Sequence, residues 1–381
     1  MKKFRLVIVS IIVVAMFLGC QQANSPAVAI PAVPSATYKV VYYANTIDAT
    51  GTVPSDSTAY LPDSSVTLSG NTGNLSRSGY IFASWNRMAD GSGSGYVGGA
   101  TLAQESSDLK LYAVWLPNSS YTSYGNTIEI KNCPTPPSGT FTIPVGVTGI
   151  GKMAFMDCAN LTAVVIPSSV TFIASSAFKN CVGLKTVTIP SSVSIIGENA
   201  FSGCTALTDV VIPSSVTCIN RGAFQNCGSL TAVTIPSGLS YLDDNVFTNC
   251  SALNSVTIPS SVTIIGKEVF KGCSALNSIA LPTSVYSIQD GAFSGSGLTS
   301  VTIPTGVTSI GSKAFNSCAN LASVSLMLPT TTLHFYTVLP TDSQAFDGCS
   351  SSLKIHVNGT SWPTYRSAVG WSAYATKVVF L

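Results

Sequence analysis

The stretch IPSSVTFIASSAFKNCVGLKTV, residues 166–187, is followed by a near copy of itself, IPSSVSIIGENAFSGCTALTDV, residues 189–210. The second copy begins 23 residues after the first. A period in the twenties is typical of a solenoid, in which each repeat forms one coil and no coil buries its apolar face alone. The repetition therefore predicts a stack of coils around one continuous core.

The same period continues along the chain and places phenylalanine at one position of each repeat. These residues are Phe155, Phe178, Phe201, Phe224, Phe247, Phe270, Phe293 and Phe315, with a displaced ninth at Phe346. We expect their side chains to form a ladder inside the solenoid. Burial of each one stabilises the fold by about 1.5–3 kcal/mol.

The repeat that begins at Leu184 predicts the path of one coil. Its L-x-x-L-x-L frame is typical of a leucine-rich repeat and points inward from a short strand. Pro190 ends that strand because proline has no N–H to offer. Ile196, Ala200 and Cys204 then lie four residues apart, which suits one apolar face of a short helix. The predicted fold class is an α/β solenoid, a curved leucine-rich repeat of 23-residue strand–turn–short helix units.

The form of the repeat, IPSSV followed by Ile, Ala-Phe, Cys and Leu, resembles the BspA-type leucine-rich repeat of bacterial surface proteins over residues 139–357. Residues 358–381 resemble the C-terminal cap of that family. A cap is physically required because the last coil would otherwise expose its apolar face. Residues 327–345 depart from the pattern, and we interpret them as an insertion in the final repeat.

Residues 37–116 resemble a second family, the Listeria–Bacteroides repeat, also known as the B-repeat of internalin-type surface proteins. The resemblance rests on Tyr80, Phe82, Trp85, Asn86, Gly91, Tyr96, Leu111, Tyr112, Ala113 and Trp115. It implies a small β-rich, ubiquitin-like (β-grasp) module that serves as part of a stalk. Residues 117–138 are interpreted as a linker with an N-terminal capping strand, TIEI.

Residues 1–20 have the features of a targeting segment. Lys2, Lys3 and Arg5 precede an apolar stretch of 13 residues, which is shorter than the roughly 20 that span a membrane. The stretch ends in FLGC, which resembles a bacterial lipobox and implies a lipid on Cys20 and anchoring in the cell envelope, at the outer membrane. An ordinary signal peptide remains the alternative. Residues 21–36, rich in Pro, Ala and Ser, are interpreted as a tether.

The charge pattern argues against nucleic acid as a partner. Only 9% of the residues are charged and the net charge is +2, so the field of the protein attracts polyanions weakly. Catalysis is not expected either, because the chain has two histidines, His334 and His356, and neither has an acidic residue nearby in sequence. No cofactor and no metal are predicted.

Eight of the eleven cysteines share one position of the repeat. They are Cys158, Cys181, Cys204, Cys227, Cys250, Cys273, Cys318 and Cys349. Their spacing lacks the close pairs of a zinc site. Disulfides between adjacent coils remain an alternative, because equivalent positions lie about 5 Å apart. Ser296 occupies the same position in a shorter repeat, so we expect a small buried side chain there and free thiols.

The outward positions of the strands predict a two-column surface of small, mostly hydroxyl side chains on the concave face, roughly 40 Å long at about 4.8 Å per strand. The ligand-binding residues chosen from it are Thr186, Thr188, Asp209, Val211, Thr234, Thr257 and Thr302. Strand propensity and solubility alone also account for such residues. An ice-binding array is a third interpretation, but ice-binding faces are flat and leucine-rich sheets curve.

The BspA resemblance implies an adhesin on the bacterial surface, directed at host extracellular-matrix or cell-surface proteins or at other bacteria. An architectural spacer without a specific ligand is the main alternative, and an enzyme is the third.

Overall fold

The computed structural model describes residues 36–133, 137–327, 344–357 and 371–380. Its N-terminal part, residues 40–117, contains six strands: β1 (Val40–Tyr43), β2 (Ser65–Thr67), β3 (Tyr80–Asn86), β4 (Gly95–Tyr96), β5 (Thr101–Ala103) and β6 (Leu109–Pro117). Four of them form a sheet in the order β1-β6-β3-β4, with β1 parallel to β6, and β2 pairs with β5. We call this part the N-terminal module.

The N-terminal module has its own core around Trp85, which is fully buried. The indole N–H of Trp85 donates to the Ser69 carbonyl at 2.9 Å, and its ring lies 4.8 Å from that of Tyr42. This part of the chain is therefore rich in strands and has a core of its own. Residues 37–117 contain no helix, whereas a ubiquitin-like fold packs one against its sheet.

The rest of the described chain is a β-solenoid of about ten turns. Its strands are β7 (Tyr121–Tyr124), β8 (Thr127–Ile130), β9 (Gly139–Thr142), β10 (Gly149–Ile150), β11 (Leu161–Val165), β12 (Phe172–Ile173), β13 (Thr186–Thr188), β14 (Ile195–Ile196), β15 (Asp209–Val211), β16 (Cys218–Ile219), β17 (Ala232–Thr234), β18 (Tyr241–Leu242), β19 (Ser255–Thr257), β20 (Ile264–Ile265), β21 (Ser287–Ile288), β22 (Ser300–Ile303), β23 (Ser309–Ile310), β24 (Ser323–Leu326), β25 (Lys354–Val357) and β26 (Val378–Phe380). A 3₁₀ helix, Trp371–Lys377, precedes β26.

Most of the described coils contribute strands to two parallel ladders. The front ladder contains β9, β11, β13 and β15, then the pair β17–β19, and then β22, β24, β25 and β26. The side ladder contains β8, β10, β12, β14 and β16, then β18, β20, β21 and β23, and the antiparallel hairpin β7–β8 starts it. The TIEI segment, interpreted as a strand, is β8.

The phenylalanine ladder predicted from the period is confirmed. The nine rings from Phe155 to Phe346 are 0–1% exposed, and successive rings stack with centroids 5.0–5.8 Å apart and planes within 17° of parallel. The buried side chains of Trp371 and Tyr374 cover the last ring, at 6.2 and 5.3 Å from Phe346. Residues 371–380 therefore close the apolar end of the stack.

The short helix predicted for each repeat is wrong for the described residues, because the coil turns there through left-handed residues. One lies two residues before each core phenylalanine and one lies two residues after it: Met153, Asp157, Ser176, Asn180, Asn199, Gly203, Gly222, Asn226, Asn245, Asn249, Glu268, Gly272, Gly291, Gly295, Lys313, Ser317, Gln344 and Gly348. A positive φ at every fourth residue interrupts the hydrogen bonding of an α-helix.

The N–H groups of these turns bond to the next coil instead. Asn199, Phe201 and Gly203 donate to carbonyls 22 residues later, at 2.8–2.9 Å. The turns therefore form a third set of hydrogen bonds between coils, in addition to those of the front and side ladders. The α/β description is replaced by a solenoid of strands and turns.

The repeat cysteines lie in the core, as predicted, except that Cys349 is half-buried. From Cys181 onward each thiol donates a hydrogen bond to the carbonyl oxygen of the phenylalanine one coil earlier, at 3.0–3.2 Å. Ser296 lies in the same slot beside Cys318, with Oγ and Sγ 3.2 Å apart. The position therefore accepts a small side chain that can donate a hydrogen bond.

Candidate binding surface

The exposed residues of the front ladder form a continuous set of rows, which we call the strand face. Along each strand the side chains alternate, so that Thr186 and Thr188 are exposed while Val187 between them is buried. The strands are parallel and in register, which aligns Thr186 with Asp209 and Thr188 with Val211. Thr234 and Thr257 are aligned in the same way.

All seven residues chosen from the sequence lie on the strand face and are exposed. Four of them, Thr186, Thr188, Asp209 and Val211, are on the adjacent strands β13 and β15. Thr302 is separated from the others because residues 277–281 form no strand between β19 and β22. The structure thus brings six of the residues onto four successive strands and leaves the seventh two coils further on.

The hydroxyl groups of the strand face differ from those elsewhere in the solenoid. Along the side ladder, Thr171, Ser194 and Thr217 donate to carbonyls of the preceding coil at 3.1–3.4 Å. The second serine of the PSSV sequence does the same, as at Ser192 and Ser215. These hydroxyls are used to join coils and offer little to a ligand.

On the strand face, by contrast, no hydrogen bond within the described part of the chain involves the hydroxyl groups of Thr186, Thr188, Thr234, Thr257 or Thr302. A hydroxyl has one donor and two acceptor sites, and here all of them point to solvent. A partner that approaches this face can therefore bond to them without disrupting the fold.

Two exposed valines give the middle of the strand face an apolar character. Val165 is 50% exposed and Val211 is 63% exposed, and the register places them on either side of Thr188. The selection from the sequence includes Val211 but omits Val165. The feature of the sequence that marks Val165 is an aliphatic residue at an outward position of a strand. The carboxylate of Asp209 adds one negative charge beside this patch.

The described residues do not assemble the groups of a metal site, since no three His, Cys, Asp or Glu side chains converge there. His334 lies outside the described residues. His356 is on β25, where its Nδ1 is buried and has no hydrogen-bond partner among the residues that the structure describes. Burial raises the pKa of the Cys204 thiol to about 12, which makes it a poor nucleophile.

These features are those of a family of repeat proteins. The BspA type leucine rich repeat region matches residues 135–254 and 240–361 in six copies, which together span more than half of the 381 residues. The chain belongs to this family. Its members are typically proteins of the cell surface, and the family and fold are typical of binding proteins that are not enzymes.

Several solved structures are similar to the chain. A leucine-rich repeat protein from Bacteroides ovatus is 26% identical, with 62% of this chain and 76% of that chain covered and a TM-score of 0.46. A leucine-rich cell surface protein from Faecalibacterium prausnitzii is 26% identical over 65% and 96% of the two chains, with a TM-score of 0.39. A T. pallidum leucine-rich repeat protein is 25% identical over 54% and 89%, with a TM-score of 0.44.

Among curated proteins, none matches the chain significantly. Within the described ranges, no helix has the length and apolar character that a membrane span requires.

Proposed function

We propose that the protein is a lipid-anchored adhesin whose strand face binds proteins of the host matrix or host cell surface, or proteins on other bacteria. The observation that carries this proposal is the row of unengaged hydroxyls, together with Val165 and Val211, on successive strands. Family membership supports it, because binding on cell surfaces is typical of the fold.

The strand face suits a large partner. Its side chains are small, so the surface of a partner protein can come close to the backbone and form many hydrogen bonds at once. Interfaces of about 800 Å² per partner are ordinary for stable complexes. The apolar pair around Thr188 provides a centre that a partner can dehydrate, and such centres contribute most of the binding energy.

The other segments of the chain are proposed to present this surface. Cys20, which lies outside the described residues, carries the lipid that anchors the protein at the outer membrane. Residues 21–36 are the tether, and the N-terminal module is a Listeria–Bacteroides-type stalk unit. The protein is not an enzyme in this proposal and requires no cofactor.

Binding to immobilised partners tests the proposal. The full chain with Cys20→Ser would be applied to purified extracellular-matrix proteins and to intact bacteria of other species, with serum albumin as the control surface. We expect saturable binding to at least one matrix protein or bacterium. If the chain binds none of them above the albumin control, the spacer role replaces the adhesin.

A further inference from the structure

An open cleft of about 1160 Å³ lies where the N-terminal module meets the solenoid. One wall comes from β3 and β6 of the module, the second from the hairpin β7–β8, and the floor from the first coils at Gly146, Thr148 and Ser169. This cleft is separate from the strand face. Its volume is slightly above the range of roughly 300–1,000 Å³ that is typical of ligand sites.

Buried side chains pack at the junction between the N-terminal module and the solenoid, next to the cleft. Ala83 and Leu116 of the module belong to the same buried core as the first coils of the solenoid. Gly146 has a φ of +98°, and a Cβ at this position would lie 2.4 Å from the Ala83 carbonyl oxygen. Only glycine allows this close approach of the first coil to β3 of the module.

Three aromatic side chains of the module line the cleft, and each is held in position. The guanidinium of Arg77 lies 3.9 Å from the ring centre of Tyr80 and pairs with Asp48 at 3.0 Å. The indole N–H of Trp115 donates to a backbone carbonyl at 2.8 Å, and Phe82 meets Trp115 edge-on at 5.9 Å. The apolar wall is therefore arranged before any ligand binds.

The opposite wall provides neutral hydrogen-bonding groups. The side chains of Thr122, Ser123 and Asn126 on the hairpin, and of Asn118 at the end of β6, have no hydrogen-bond partner within the described ranges. Tyr121 is 7% exposed, and its hydroxyl likewise has no hydrogen-bond partner among the described residues. Burial raises the pKa of Tyr121 to about 12, so this hydroxyl stays protonated and can donate.

The geometry points to a binding site for a neutral oligosaccharide in this cleft. A pyranose ring presents an apolar face of C–H groups, which packs on aromatic rings, and an edge of hydroxyls, which bonds to amides and hydroxyls. The two walls offer these two surfaces. Lys131 is the one charged residue that lines the cleft among the described residues, so a strongly charged ligand would lack counter-charges.

Titration of the purified full chain with three neutral trisaccharides, cellotriose, maltotriose and N,N′,N″-triacetylchitotriose, tests this inference. Intrinsic tryptophan fluorescence reports binding because Trp115, one of the four tryptophans of the chain, lines the cleft. We expect a saturable change with at least one trisaccharide, and calorimetry should give the same dissociation constant.

Variants locate the site. Tyr80→Ala and Asn118→Ala should each weaken binding at least about tenfold, a change that corresponds to about 1.4 kcal/mol. Thr122→Trp, which places a bulky side chain in the cleft, should also weaken binding at least about tenfold. Tyr241→Ala is the matched control, because this tyrosine is similarly exposed (44% against 37% for Tyr80) but lies on β18 of the solenoid.

Thermal denaturation of each variant confirms that it is folded before it is compared. The inference is overturned if none of the three sugars binds, or if the folded Tyr80→Ala, Asn118→Ala and Thr122→Trp variants all bind as well as the wild type. We do not expect a peptide of residues 21–36 to displace the sugar from the cleft. If that proline-rich peptide binds the cleft and the sugars do not, the site is a peptide groove. The strand-face proposal is unaffected by either result.

Discussion

The thiol of Cys204 donates a hydrogen bond to the carbonyl oxygen of Phe178, 3.2 Å away in the preceding coil. The same carbonyl accepts the N–H of Cys181, so two donors from consecutive repeats meet at one acceptor. Cys227, Cys250 and Cys273 repeat the bond at 3.2 Å. The S–H group of each of these cysteines therefore helps to hold adjacent coils together through a hydrogen bond.

This arrangement predicts that the solenoid loses stability at alkaline pH. Burial raises the pKa of Cys204 and of Cys250 to about 12, whereas an unfolded thiol ionises near about 8.5. The folded chain thus keeps protons that the unfolded chain has released. The contribution is complete below the unfolded pKa and is lost as the pH rises toward the folded pKa. The urea midpoint should fall as the pH rises from about 8.5 toward about 12.

The control for this prediction is the double variant Cys204→Ser with Cys250→Ser, which keeps a donor at both positions and should show a smaller fall. An equal fall in the variant and the wild type would assign the effect to other groups. Alkylation gives a second check, because denatured protein should label at all eight repeat cysteines without reductant. Labelling only after reduction would mean that disulfides join the coils.

Loss of one ring from the phenylalanine ladder should weaken the whole stack. Phe224 lies 5.3 Å from Phe201 and 5.7 Å from Phe247 and is fully buried. Phe224→Ala should lower the free energy of unfolding by about 3–5 kcal/mol, measured by denaturant titration. Unfolding should also separate into two transitions, because each coil is stabilised by its neighbours. A change below about 1 kcal/mol would contradict the interior position of the ring.

The left-handed turns make a different prediction at Asn199, where φ is 54°. Asn199→Gly should change the free energy of unfolding by less than about 1 kcal/mol, because glycine adopts this conformation without strain. Asn199→Val should cost about 1–2 kcal/mol or more, because a β-branched residue is disfavoured at positive φ. Glu198→Val, at the preceding exposed position, is the control. Equal stability of the glycine and valine variants would contradict the left-handed turn.

The period of the sequence was sufficient to predict the coils, the phenylalanine ladder and the outward position of Thr188, because each depends only on spacing within one repeat. The missing helix shows where spacing failed. Ile196, Ala200 and Cys204 fit a helical face by their spacing. Asn199 and Gly203, which lie between them, adopt left-handed conformations. The only sign of this in the sequence was their residue type, because Asn and Gly tolerate positive φ. The cleft was beyond prediction, because its walls come together through packing of segments distant in sequence.

The lipid anchor remains a prediction that rests on FLGC, Phe17–Cys20. Cys20→Ser should leave the protein without lipid and release it from membranes into the soluble fraction. Each acyl CH₂ contributes about 0.8 kcal/mol to membrane binding, so the loss of the chains removes a stable anchor. Phase separation in detergent measures the change. A variant that still partitions into the detergent phase would contradict the anchor.

The double variant Thr188→Arg with Thr234→Arg tests the strand face most directly. The two threonines lie two coils apart on the strand face, and both are exposed, so the substitutions should leave stability nearly unchanged. The matched control is Ile195→Arg with Tyr241→Arg, two exposed positions with the same spacing on β14 and β18 of the side ladder. The measurement is binding of each folded variant to the matrix protein or bacterium that captures the wild type. We predict that the strand-face variant loses binding at least about tenfold while the side-ladder variant binds normally. Undiminished binding by the strand-face variant would contradict the account.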